Sequence, residues 1–171
     1  YNNLGLSGGG TFIAAGNIIC NNDLTISTGT TNFSLGSNNL SVAGNLTVTS
    51  PSFLTSSASS TTTVSGTAKT LGGSGSATFY RLKISGTYTL AGNITVSDYL
   101  TIDNTKSLDL STKTLSLGGS GDVITGTGTL TISTSTISYT SSVGGTLEDL
   151  AYYKLSIAGV GTFLPSNNLT V

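Results

Sequence analysis

Apolar and polar positions alternate along this chain in runs of three. The triplets "LTI" at 24 and 100, "FSL" at 33, "LDL" at 108, "LSL" at 115 and "LTI" at 130 are each apolar–polar–apolar. In an extended strand the outer residues of such a triplet share one face and the middle residue points the other way. The triplets recur every six to nine residues, separated by Gly, Asn, Ser or Asp. These residues tolerate tight turns and left-handed backbone. No stretch of ten or more residues carries helical spacing, and only two prolines occur. The pattern predicts an all-β chain of very short strands.

Sandwich strands run about five to six residues, with turns every 8–12. Triplets every ~7 residues instead predict a parallel β-helix, or β-solenoid, with three strands per coil of ~20–25 residues. Each coil then rises by one strand spacing, ~4.8 Å, and pairs with the next through parallel ladders.

A longer period contains the short one. Tyr1 to Cys20, "YNNLGLSGGGTFIAAGNIIC", aligns without a gap with Tyr152 to Val171, "YYKLSIAGVGTFLPSNNLTV", at an offset of 151 with seven identities. A copy two residues shorter, "FYRLKISGTYTLAGNITV", lies between them at Phe79 to Val96, so Asn17, Asn93 and Asn168 are 76 and 75 residues apart. The chain therefore reads as one solenoid over 1–171, with internal repeats 1–78, 79–151 and a partial third copy 152–171. A unit of ~75 residues is expected to hold about three coils.

Within the unit a small or polar pair, an asparagine and a three-residue strand recur: "AGNIIC" (15–20), "SNNLSV" (37–42), "AGNLTV" (43–48), "AGNITV" (91–96) and "SNNLTV" (166–171). Cys20, the only cysteine, fills a position held elsewhere by Val42, Val48, Val96 and Val171. It is expected to be a buried small hydrophobe rather than a reactive thiol. Asn17, Asn39, Asn45, Asn93 and Asn168 are the candidate structural residues. At turns they can stack as an asparagine ladder and hydrogen-bond the backbone.

Composition narrows the function. Charged residues make up 8% of the chain against a typical quarter, while Ser and Thr account for 58 of 171 residues. A net charge of −1 without a basic stripe argues against nucleic acid as a partner. No apolar run approaches the ~20 residues of a membrane helix. One cysteine excludes an intrachain disulfide framework and a multi-cysteine metal site. The chain opens at Tyr1 without Met or a signal segment, which suggests a processed or partial view of something longer.

Catalytic chemistry finds little to work with. There is no His, which removes the usual Ser-His and Cys-His pairs. The best carboxylate cluster is Asp98, Asp103 and Asp109 with Lys106, whose equivalents in the first unit are uncharged, so a solvated turn role is favoured. "GGSGDV" (118–123) places Asp122 one residue early for a calcium-binding β-roll motif, and "GGSGSA" (72–77) has no Asp. Neither catalytic residues, nor a metal, nor a cofactor is expected. Asn-x-Ser/Thr triplets at Asn32, Asn39, Asn45, Asn93 and Asn168 are candidate glycosylation positions, although four of them fall out of the repeated turn motif. Alternating threonines in "TGTGTLT" (125–131) raise ice binding, which requires Thr-x-Thr at the same place in every coil.

The pieces Phe79–Gly86, Tyr152–Gly159, Ala43–Val48 and Ala91–Ile102 share an aromatic, "LxIxG", "AGNLTV" and "LTI" pattern. This pattern resembles the long repeat arrays of bacterial surface and secreted adhesin-type β-helix proteins. The resemblance covers most of the chain and departs from a strict repeat between Pro51 and Ser76. It implies an extracellular or cell-surface location and a structural or adhesive role. The expected function is a non-enzymatic segment of an extracellular filament, surface fibre or adhesin. Its expected partner is itself, as a head-to-tail homopolymer or longer tandem array, with surface glycans as a further possibility. A carbohydrate-binding or polysaccharide-active β-helix is the rival, which would show a groove with clustered carboxylates and exposed aromatics. An ice-binding solenoid is the third reading.

Overall fold

The computed structural model describes residues 1–27, 29, 31–167 and 169–171. The chain is all-β and winds as a parallel β-solenoid of about eight turns. The first two coils comprise β1 (Leu4–Leu6), β2 (Gly10–Ile13), β3 (Ile18–Cys20), β4 (Leu24–Ile26), β5 (Thr31–Ser34) and β6 (Leu40–Val42). The next two comprise β7 (Leu46–Val48), β8 (Phe53–Thr55), β9 (Thr61–Val64), β10 (Lys69–Gly72), β11 (Ser76–Phe79) and β12 (Arg81–Ile84). They are followed by β13 (Thr87–Leu90), β14 (Ile94–Val96), β15 (Leu100–Ile102), β16 (Ser107–Asp109), β17 (Thr114–Leu117) and β18 (Ile124–Gly126). The last turns hold β19 (Thr129–Thr131), β20 (Thr136–Tyr139), β21 (Gly145–Leu147), β22 (Lys154–Ile157) and β23 (Phe163–Pro165).

Up to β20 every third strand stacks on the same face. Face 1 runs β1-β4-β7-β10-β13-β16-β19, face 2 runs β2-β5-β8-β11-β14-β17-β20-β22, and face 3 runs β3-β6-β9-β12-β15-β18. A separate pair, β21-β23, follows near the end of face 3, where the Thr146 N–H reaches the Gly121 carbonyl at 3.4 Å.

The core is a set of columns made by residues in register. Leu4, Leu24, Leu46, Leu71 and Leu90 follow one another up face 1. Cys20, Val42, Val64, Ile84 and Ile102 do so up face 3. From Leu24 onward these side chains are buried, and each contributes about 1.5–3 kcal/mol through removal from water. The middle residues of the triplets form outward columns. On face 2 these are Ser34, Thr55, Thr78, Thr95, Ser116, Ser138 and Ser156.

Between Pro51 and Ser76 the coil persists despite the loss of the repeat. Ser52, Ser60 and Thr62 occupy buried positions there. The Ser60 hydroxyl donates to the Asn38 carbonyl at 2.7 Å and the Ser52 hydroxyl to the Gly29 carbonyl at 3.3 Å. These bonds offset the cost of burying the two serine hydroxyls, whereas Thr62, in register with Leu40 and Leu82, buries its hydroxyl oxygen without a hydrogen-bond partner.

Coils differ in length. Seventeen residues separate the register partners Ala77 and Ile94, whereas twenty-five separate Leu46 and Leu71. As a result the sequence unit is not a whole number of coils. Leu4, Leu82 and Leu155 are equivalent in sequence, yet they lie on β1, β12 and β22, on faces 1, 3 and 2. The unit spans eleven strands the first time and ten the second, so successive copies are turned from one face to another.

Candidate functional site

The corners between faces are where the backbone ladder is interrupted. At the start of a strand, or just ahead of it, an N–H bonds to a side-chain oxygen one coil away in place of a strand carbonyl. Ahead of face 3, Asn17 Oδ1 accepts the Asn39 N–H at 2.9 Å and Asn39 Oδ1 accepts the Thr61 N–H at 2.8 Å. Ahead of face 1 the same step is made by Asn3, Asp23 and Asn45. These accept from Asp23 N–H (3.1 Å), Asn45 N–H (2.7 Å) and Thr70 N–H (3.0 Å). Ahead of face 2, Asn93 Oδ1 accepts the Thr114 N–H at 2.9 Å. The asparagines named from sequence therefore occupy three different corners: Asn17 with Asn39, Asn45 alone of its group, and Asn93. Asn168 lies outside the described residues. Asn3 and Asp23 belong to the same device, and the signal for Asp23 was its place directly before "LTI".

Cys20 is buried between strands, directly in register with Val42. Burial raises its thiol pKa, which disfavours the nucleophilic thiolate. Cys20→Val should change stability by less than about 1 kcal/mol, as a volume-conserving swap does. Asn45→Ala, which removes bonds to Asp23 and Thr70, should cost about 1–3 kcal/mol, and Asn45→Asp should recover part of that. Urea denaturation midpoints of the three variants check the order.

The carboxylates named from sequence are dispersed. Asp98 pairs with Arg81 at 2.7 Å, and Arg81 lies between the Tyr80 and Tyr99 rings at 5.2 and 4.9 Å from their centroids. Asp103 accepts the Ser85 hydroxyl at 2.7 Å and faces Lys83 at 3.3 Å. Those contacts, the hydroxyl first, hold its pKa below the ordinary carboxylate range. Asp109 instead accepts the Ser111 N–H and the Ser133 hydroxyl. Among the described residues no three His, Cys, Asp or Glu come close enough to hold a metal ion. Among the described residues no helix is long and apolar enough to cross a membrane.

Sequence reasoning passed over Glu148. Its carboxylate accepts the Val123 and Ile124 N–H groups at 3.0 and 3.2 Å, next to the "GGSGDV" turn, and burial raises its pKa. The Tyr139 and Tyr152 hydroxyls meet at 2.8 Å beside it, with Phe163 edge-on to Tyr139. This polar and aromatic knot fastens the last turns where the β21-β23 pair separates from face 3.

The threonines sort by face. Thr125 lies on β18 of face 3, where its hydroxyl meets that of Thr101 at 2.8 Å, while Thr129 and Thr131 lie on β19 of face 1. Two coils below, Thr87 and Thr89 hold the same register, but Ser107 and Asp109 stand between. Of the Asn-x-Ser/Thr positions, Asn39 and Asn93 are exposed, whereas Asn32 and Asn45 are half-buried.

The two ends differ most from the rest of the surface. Twelve large apolar side chains are exposed among the described residues. Tyr1, Phe12, Ile13 and Ile19 are in the first coil, and Val143, Tyr153, Ile157, Val160, Leu164, Leu169 and Val171 are in the last turns. Only Phe53 lies between. At the first end the inward-facing Leu4, Leu6, Phe12 and Ile18 line an open apolar mouth of about 370 Å³. Among the described residues β1, β2 and β3 are the end strands of their sheets.

Fold and ends together define a parallel, three-faced β-solenoid whose first and last described coils expose apolar side chains. Compared with family models, curated proteins and solved structures, the chain finds no match in any of the three.

Proposed function

We propose that this chain is a non-enzymatic structural segment of an extracellular filament, surface fibre or adhesin, in which β-solenoid coils stack end to end. The observation that carries this reading is the concentration of exposed large apolar side chains in the first coil and the last turns, which hold all of those among the described residues except Phe53. Exposed strand edges and apolar ends are templates for further pairing unless they are covered.

The internal repeat indicates what covers them. The sequence equivalent of 1–20 at 79–96 forms β12, β13 and β14, and each of these pairs below with β9, β10 or β11. The first coil presents the same kind of edge with nothing beneath it. Its natural cover is another coil of the same repeat, from an adjoining repeat or from a second copy.

Light scattering and electron microscopy of purified 1–171 test the reading. Growth into end-to-end rods with rising concentration is expected, and Phe12→Lys combined with Leu164→Lys, both at exposed positions, should stop it while circular dichroism stays unchanged. A chain that remains monomeric at high concentration, with both ends unmodified, would count against stacking.

A further inference from the structure

Among the described residues Phe53 is the one large apolar side chain exposed away from the ends, at 43% of its surface. It points outward from face 2, where its register neighbours Asn32 and Ser76 are polar. Among the described residues no other aromatic ring pairs with it.

The ring borders a recess of about 340 Å³ at the corner between faces 1 and 2, flanked by Pro51, Ser74, Ser76 and Asn93. A second recess of about 320 Å³ shares Ser74, Gly75 and Asn93 and extends to Lys113. The two form one trough. At this corner the coils stack backbone on backbone through glycine: a Cβ on Gly92 would run into the Gly73 carbonyl, and one on Gly73 into the Val48 carbonyl. Bare backbone thus forms the floor, and side chains stand only at the rim.

The rim has a definite chemistry. Asn93 spends its Oδ1 on the Thr114 N–H, which leaves the amide Nδ2 to donate outward. The hydroxyls of Ser74 and Ser76 add neutral donors and acceptors. No carboxylate lines either recess, and Lys113 has no ion pair among the described residues. Phe53, Ser76 and Asn93 are on successive coils of one face, so the trough advances about 10 Å over two strand spacings. That is the reach of two linked pyranose rings. An exposed phenyl face suits the C–H face of a sugar, amide and hydroxyl groups suit its hydroxyls, and an unpaired ammonium suits a carboxylate.

We propose that this trough binds an acidic glycan: a sugar ring stacks on Phe53, its neighbour hydrogen-bonds Asn93, and a uronate carboxylate meets Lys113. The assignment is independent of end-to-end stacking, because the trough lies mid-solenoid.

Isothermal titration of the full chain with trigalacturonate, and with cellotriose as the neutral control, tests it. Trigalacturonate should bind, with affinity lowered by salt. Phe53→Ala should weaken it at least about tenfold, and Phe53→Tyr should retain it. Lys113→Gln should remove the salt dependence and the preference over cellotriose. This half-exposed turn substitution keeps the test readable if Phe53→Ala fails to fold. No trigalacturonate binding, or binding indifferent to Phe53→Ala, would overturn the proposal. Equal binding of cellotriose with Lys113→Gln silent would overturn the acidic assignment. If no sugar binds and Phe53→Ala instead dissolves a lateral dimer in sedimentation, the patch is a protein contact and the glycan site is refuted.

Discussion

Phe79→Ala is expected to lower the free energy of unfolding by about 3–5 kcal/mol, the cost of emptying a fully buried aromatic site. Phe79 has no exposed surface and ends β11, in register with Val96 above. Below it the column is thin. Thr55 pairs with Thr78, so the next position down is Ser56, a small residue whose hydroxyl is engaged by the Tyr80 N–H at 2.6 Å. The phenyl ring fills the volume that serine leaves, and alanine would leave two small residues stacked in a tube with rigid ladder walls. Such walls cannot close inward without breaking strand pairing, so the cavity persists. Urea titration followed by circular dichroism measures the loss. A change smaller than about 1 kcal/mol would mean that the coils collapse around the gap.

Tyr88→Phe should cost about 2–4 kcal/mol, although the sequence makes it look harmless. In the repeat, Tyr88 aligns with Phe12 and Phe163, so phenylalanine is the usual occupant. The structure gives the hydroxyl two tasks inside the solenoid: it accepts the Gly66 N–H at 2.9 Å and donates to the Gly44 carbonyl at 2.8 Å. Both glycines are buried, and burial raises the pKa of the tyrosine hydroxyl itself. Removing the oxygen leaves a donor and an acceptor without partners, each at about 1–3 kcal/mol. The control is Tyr1→Phe, at an exposed site, which should leave the denaturation midpoint in place. A Tyr88→Phe midpoint equal to that of the parent protein would show that water replaces the hydroxyl.

Strand existence was legible because alternation within a triplet is local. A residue's inward or outward side is fixed by the pleat, and "LTI" at 24 and 100 buries its outer positions, while the copy at 130, near the end of face 1, buries them only in part. The valine-like slot of Cys20 was legible for the same reason. The corner asparagines were legible as turn residues, but their partners were not: Asn39 reaches Thr61 and Asn93 reaches Thr114, across the intervals that the coils happen to have. The trough at Phe53 left no sequence signal beyond a glycine-rich run, since it depends on three successive corners lying side by side.

The sequence by itself determined an all-β solenoid of short parallel strands, its inward and outward residues, and the resemblance among its three segments. Only the tertiary structure decided which face each segment occupies and what each corner touches. The reason is that phase around a coil accumulates with every turn length. Coils of seventeen to twenty-five residues carry Leu4, Leu82 and Leu155 to three different faces, and the same residues that are uncovered in the first coil become core in the middle of the stack.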